Sequence, residues 1–260
     1  MCAKNDCTDV SGHLNYLMMN IGILALAIVL IPTGRWFWRA WKVDIPSSPY
    51  LFQMSWAAGL ALGLLTHQGG AESTSANWAI GLALVLLYLS FTGAQKVSTS
   101  AIRVGNKIPY FEGIDSDGNS FSSDTLENKR IIIKFFRAHW WPYCVGELRR
   151  WEAMRLLLDE FHVTLITVST DTVSEINLGR KMHGLKGTML ADNKLKIINQ
   201  FGLKNQNLNN FRMPFRPGLP IPTTLLIDDT GTVIWKDDTN QYSKRSDPER
   251  IKPVLEKLLS

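Results

Sequence analysis

Three long apolar stretches open the chain: Leu14–Ile31, Tyr50–Thr66 and Asn77–Ala94. None contains Asp, Glu, Lys or Arg. Each has the length that just crosses a hydrocarbon core about 30 Å thick. Polar breaks separate them, and together they predict three membrane spans. Two plainer readings compete: buried helices of a soluble bundle, and, for the first stretch, a cleaved signal peptide. Against the latter, the tail before it is acidic as well as basic (Lys4, Asp6, Asp9), and no small-x-small cleavage site follows Ile31. From about Gly105 the pattern changes. Ile114 ends a strand that runs into an Asp-Gly turn at 115–119. Arg130–Phe136 (RIIIKFF) and Val163–Ser169 (VTLITVS) are continuous apolar runs that predict buried strands. Leu148, Trp151, Met154, Leu157 and Leu158 recur with helical period and predict a helix over 144–161. Further elements follow as a helix at 174–183, a strand at 187–191 and a short helix at 194–201. A loop at 205–220 precedes a hairpin of 223–227 with 232–236. Asp247 and Pro248 suit the N-cap and first position of a last helix. Such alternation gives an α/β unit, a mixed sheet with helices on both faces.

Composition sharpens the division. Five Lys/Arg and four Asp/Glu stand before residue 101, against 23 and 19 after it. We therefore read 1–100 as a membrane anchor with three spans (14–31, 50–66, 77–94) and 101–260 as a soluble domain. The net charge of +5 is spread out, and no run of Lys/Arg with interleaved aromatics suggests a nucleic-acid partner. Three cysteines, Cys2, Cys7 and Cys144, are too few for a disulfide scaffold or a four-cysteine zinc site. Neither a metal nor a cofactor is expected. Trp36, Trp38, Trp41, Tyr50 and Trp78 flank the apolar stretches, where an indole or phenol ring sits at lipid headgroup depth. Lys/Arg cluster after the first stretch (Arg35, Arg39, Lys42) and after the third (Lys96, Arg103, Lys107), while 67–76 carries none. That asymmetry puts the C-terminal domain in the cytoplasm of a multi-pass membrane protein. Ser55, Gly59 and Gly63 recur every four residues. They predict either a homodimer face or close packing of the second helix against the other two. No acid or base lies within a span, so the spans read as an anchor in contact with membrane lipid.

The candidate chemistry lies in residues 131–150, IIIKFFRAHWWPYCVGELRR. A buried strand runs into a turn containing Pro142, and Cys144 then opens a helix. The positive end of the helix dipole and unpaired backbone N–H groups would favour a thiolate there. The alternative is a buried cysteine packing as a small hydrophobe.

The run from Trp140 to Leu148, the segment IPTTLLIDDTGTVIW and the tail QYSKRSDPERI carry a resemblance. Over about residues 103–258 the sequence is similar to the peroxiredoxin-like branch of the thioredoxin-fold redoxins, the alkyl hydroperoxide reductase/thiol-specific antioxidant family. The resemblance implies a thioredoxin-like fold, with two catalytic residues: Cys144 at the peroxidatic position and Glu147, the glutamate three residues on, which would orient or polarise the site. It places Pro222 on the cis-proline beside the active cysteine. The departures are specific. Trp141 replaces the first cysteine of C-P-Y-C, or the Thr/Ser of peroxiredoxins proper, and an indole donates a hydrogen bond but cannot accept one. Arg137 replaces a proline, and Pro222 an arginine. His139, Arg137, Arg216 and Arg245 are the nearest candidates to supply positive charge, against the plainer reading of solvated surface groups. His139, Trp141, Pro142, Pro222 and Arg245 are the candidate substrate pocket. The domain holds no second cysteine, which disfavours a dithiol mechanism. The implied activity is a membrane-anchored, one-cysteine thiol peroxidase acting on a peroxide, with an external thiol as reductant. The alternatives are a degenerate redoxin serving as redox sensor or binding module, and a protein whose function lies in its spans.

Overall fold

The structure is a computed structural model that describes residues 4–42, 44, 49–68, 73–91, 98–205, 218–238 and 248–257. Arg216, Arg245, Asp247 and Cys2 lie outside the described residues, as does the side chain of Cys7. The chain divides into two compact units, one of residues 1–42 and 48–93 and one of residues 43–47 and 94–260.

The first unit is three helices: α1 (Lys4–Trp41), α2 (Tyr50–Gln68) and α3 (Thr74–Phe91). Small side chains let them approach. A Cβ on Gly59 would run into Val29 and the Ala25 carbonyl of α1. One on Gly63 would come within 2.9 Å of Ile80 and 3.2 Å of the Ala76 carbonyl, both in α3. Gly59 and Gly63 of the α2 stripe are therefore taken up by the chain's own helices, the second of the two readings of that stripe. Polar side chains are satisfied between helices: Trp56 Nε1 donates to Thr33 Oγ1 (2.9 Å) and Gln53 Nε2 to Ser90 Oγ (2.9 Å). Large apolar side chains point outward. Leu51, Ile31 and Leu89 are 84%, 71% and 63% exposed, whereas Ala25, Ala79 and Ala83 are fully buried. Two stretches, Tyr16–Trp41 and Thr74–Phe91, are long and apolar enough to cross a membrane. The three-span expectation is thus met on length and apolarity by two stretches. The first runs ten residues past the predicted end at Ile31, because Pro32 sits inside α1 without ending it.

The second unit is a seven-stranded sheet. Its strands are β1 (Glu112–Asp115), β2 (Ser120–Ser122), β3 (Arg130–Phe136), β4 (Val163–Ser169), β5 (Thr188–Ala191), β6 (Thr223–Ile227) and β7 (Val233–Asp238). They lie in the order β2-β1-β5-β4-β3-β6-β7. The central β3, β4 and β5 are parallel, as in a sheet covered on both faces. β1, β6 and β7 add antiparallel. Among the described residues, five α-helices accompany the sheet: α4 (Pro142–Ala153), α5 (Arg155–Glu160), α6 (Val173–His183), α7 (Lys196–Gln200) and α8 (Lys252–Glu256). Ile131, Ile133 and Phe135 of β3 join Phe111, Ile197 and Phe201 in the core on one face. Ile132 and Phe136 face the other way, toward α4. The helix predicted over 144–161 is two. Met154 (φ −88°, ψ 3°) ends α4 and begins α5. A capping box, Thr172 with Glu175, starts α6, and Gly184 in the left-handed region (φ 68°) ends it.

Candidate functional site

Helix α4 runs back along β3, and the two periods interlock. Cys144 packs with Phe136. Glu147, three residues on, meets Lys134. Trp151, seven residues on, joins Ile132. Spacings of three, four and seven share one helical face, and alternate residues share one face of a strand. The cysteine thus sits above the C-terminal end of the central strand, in the first turn of the helix. Trp141 is the extended N-cap and Pro142 the first helical residue, where the missing N–H costs nothing. The Cys144 N–H is not left over for an anion: it donates to the Trp141 carbonyl at 2.9 Å. That corrects the expectation of unpaired amides there.

The thiol is closed in. Cys144 is fully buried among Phe136, Leu148, Ile176, Leu185 and Met189, and Trp141 packs against that cluster. Arg137 is buried as well, with its guanidinium 5.3 Å from the centre of the Trp141 ring. It was expected among the solvated surface charges and is not one.

Two polar arrangements surround the thiol, and each includes residues that sequence reasoning passed over. The first lies beneath it. Lys134 Nζ donates to Glu147 Oε1 at 2.5 Å and to Thr224 Oγ1 at 3.2 Å, and both members of the ion pair are buried. The Glu147 carboxylate is therefore turned toward the sheet. The signal for Lys134 was a lysine inside an otherwise apolar strand, which demands a buried counter-charge. The second lies in the loop 137–141. Asp171, just past β4, accepts from the His139 backbone N–H at 2.8 Å and faces His139 Nδ1 at 3.2 Å. Ser169 Oγ donates to the same carboxylate (3.1 Å), and Thr170 Oγ1 donates to the Arg137 carbonyl (2.7 Å). Burial lifts the Asp171 carboxyl above its ordinary range, although bonds from His139 and Ser169 pull the other way. His139 is buried and paired, again unlike a solvated surface group. Helix α6 closes on it: a Cβ on Gly179 would lie 2.5 Å from that of His139. Burial and the nearby Arg149 charge hold His183 of α6 below its ordinary value.

Pro222 is buried and stands one residue before Thr223, which pairs with Phe135. It thus ends the β6 ladder beside Phe136. No peptide bond among the described residues is cis, so the expected cis bond at Pro222 is absent. Of the predicted residues, the structure brings Cys144, Trp141, Pro142 and Glu147 together on one helix and its cap, with His139 in the adjoining loop. Three of the clefts among the described residues open elsewhere on the second unit. The first, of about 410 Å³, is lined by residues such as Lys107, Lys129 and Asp228 at the opposite end of the central strand from Cys144. The other two lie beside Arg150 and Lys252, and along β1 and β2.

A central parallel core of three strands, antiparallel additions on both sides and a cysteine opening the helix after the central strand define a thioredoxin-like redoxin. The chain belongs to the AhpC/TSA family, whose sequence profile matches residues 104–236. It is 27% identical over 137 residues to a Coxiella burnetii protein assigned as peroxiredoxin bcp, covering 52% of this chain and 89% of that one. The fold is shared with peroxidoxin BcpB from Mycobacterium tuberculosis (TM-score 0.53, 19% identity, 61% of this chain and 99% of that one). It is also shared with a thiol peroxidase from Chromobacterium violaceum (TM-score 0.52, 18% identity, 64% and 93%).

Proposed function

We propose that the chain is a membrane-anchored thiol-dependent peroxidase of one-cysteine type. The observation that carries this is the place of Cys144, a lone domain thiol in the first turn of the helix after the central strand. In the step proposed, the Cys144 sulfur attacks the terminal oxygen of a hydroperoxide. Cys144–SH and R–OOH become Cys144–SOH and R–OH, with the O–O bond broken and the sulfur oxidised. Two equivalents of an external thiol then return Cys144–SH, releasing water and a disulfide. The exposed apolar side chains of α1, α2 and α3 support a lipid-facing anchor, since an apolar surface of that extent is not left in water. The basic residues after α1 and α3 support a cytoplasmic domain.

A second reading has its own observation. Trp141 occupies the position of the family's hydroxyl or thiol and packs against the cluster that buries Cys144. That favours a degenerate redoxin acting as a sensor or binding module. The deciding experiment is stopped-flow formation of sulfenic acid on Cys144, in a Cys2→Ser, Cys7→Ser chain, with hydrogen peroxide and with an organic hydroperoxide. Dose-dependent sulfenic acid that an added thiol removes supports the peroxidase. A thiol that stays reduced in both oxidants leaves the binding module.

A further inference from the structure

The buried pair beneath the thiol is used by nothing in the chemistry above. Lys134 is 1% exposed and lies on the central strand; Glu147 is 3% exposed and lies on α4. A buried carboxylate and a buried ammonium are each costly alone and are kept only as a satisfied pair. The pair is held from three elements: Lys134 on β3, Glu147 on α4 through its Oε1, and the Thr224 hydroxyl on β6 opposite Lys134 in the ladder. Its place matters because of what stands three residues earlier on the same helical face. Side chains at that spacing have Cβ atoms about 5–6 Å apart. A bare carboxylate at Glu147 would therefore oppose a negative sulfur at Cys144 across an apolar interior, where little screens it.

Charged groups on the neighbouring elements have partners of their own. The cluster around the sulfur is apolar on β3, α6 and β5. Arg137 is stacked on Trp141, and His139 is tied to Asp171. On α6, Arg180 is turned to Ser116 and Asp117, while His183 lies near Arg149.

We propose that Lys134 is a positioning residue for Cys144: its ammonium fixes and neutralises the Glu147 carboxylate one helical turn from the sulfur. The thiolate then forms beside a neutral pair rather than beside a second anion. This deepens the peroxidase reading and rests on it for its purpose, but not for its test. Lys134 does not touch the substrate and acts through Glu147.

The test reads the thiolate directly, by its ultraviolet absorbance as pH is raised, with the Cys144→Ser chain subtracted. It uses the full chain in detergent with Cys2→Ser and Cys7→Ser, and needs neither peroxide nor access to the sulfur. Lys134→Met leaves the carboxyl and the thiol to titrate as a coupled pair, each anion opposing the other. The thiolate fraction at a given pH then falls about tenfold, one pH unit on the curve. Glu147→Gln leaves the cation and moves the curve to lower pH. Lys134→Met with Glu147→Leu removes both charges and returns the curve to within about twofold of the parent, because an apolar replacement of a buried pair is tolerated. A purely structural Lys134 would change the melting temperature and leave all four curves superimposed, and that result overturns the proposal. So does a double variant that stays displaced. If Lys134→Met alone does not fold, Glu147→Gln and the double variant decide: no downward shift in the first overturns it. Curves that obey this cycle in a chain forming no sulfenic acid would end the peroxidase reading and keep the role of Lys134.

Discussion

Trp141 sets the most direct test at the scale of single residues. Its indole packs on the cluster around Cys144 and beneath Arg137. Trp141→Thr would free space over the sulfur and supply a hydroxyl that both donates and accepts. The expected outcome is faster sulfenic acid formation, by tenfold or more, measured with hydrogen peroxide in stopped flow. Stability should fall by about 2–3 kcal/mol, toward the low end for truncating a buried aromatic, because Trp141 is half-buried. A folded variant with unchanged rate would show that the indole is not what limits reaction. Asp171 gives a pH test. Its carboxyl is raised by burial, so between the ordinary value of 3.8 and the raised one the folded state binds more protons than the unfolded state. Stability is then lost as pH rises through that window. Asp171→Asn cannot ionise and lacks this loss. The melting temperature of Asp171→Asn relative to the parent should therefore climb as pH increases above 3.8. A difference that stays flat or falls would contradict the assigned burial effect. Lys134 and Asp171 were hard to find in the sequence for one reason: their importance lies in pairings across 13 and 32 residues. Cys144, Trp141 and Pro142 were legible because one helix start holds all three.

At the scale of elements, the two buried strands matched their apolar runs to the residue, since strands covered on both faces carry a continuous signal. The helices were less legible. Apolar period persists through Met154 although the backbone does not, so the sequence read α4 and α5 as one. The start of α6 was set by a cap, not by its apolar positions. Within α6, Gly179 invites a prediction. A glycine inside a helix ordinarily costs about 0.5–1 kcal/mol relative to alanine. Here the added methyl would meet His139 at 2.5 Å. Gly179→Ala should therefore destabilise, by about 1–3 kcal/mol as overpacked sites do, and should alter the rate of Cys144 oxidation by moving the 137–141 loop. Thermal melting and the stopped-flow assay on the same sample check both. A stabilised variant would mean that α6 and the loop separate freely.

For the whole molecule, the three-helix unit turns many large apolar side chains outward, such as Ile31, Leu51 and Leu89, while Ala25, Ala79 and Ala83 are buried together with Val29, Phe52 and Trp56. That inversion is the expected packing where lipid, not water, is the surrounding solvent. A reporter fused after Ser260 should be active as a cytoplasmic fusion and silent as an exported one. Activity only on the exported side would reverse the topology drawn from Arg35, Arg39, Lys42, Lys96, Arg103 and Lys107.

The closed position of Cys144 has a kinetic meaning. A sulfur with no exposed surface reacts only from a transiently opened form, so opening and chemistry occur in series. At low oxidant the observed rate should grow in proportion to concentration, with a slope set by the oxidant. At high oxidant it should level off at the opening rate, and the ceiling should be the same for hydrogen peroxide and for a bulky organic hydroperoxide. Two oxidants that differ in slope yet share one ceiling would identify the lid of Trp141 and its neighbours as the clock of the reaction. A rate that rises linearly without limit would mean that the sulfur is reached without any opening.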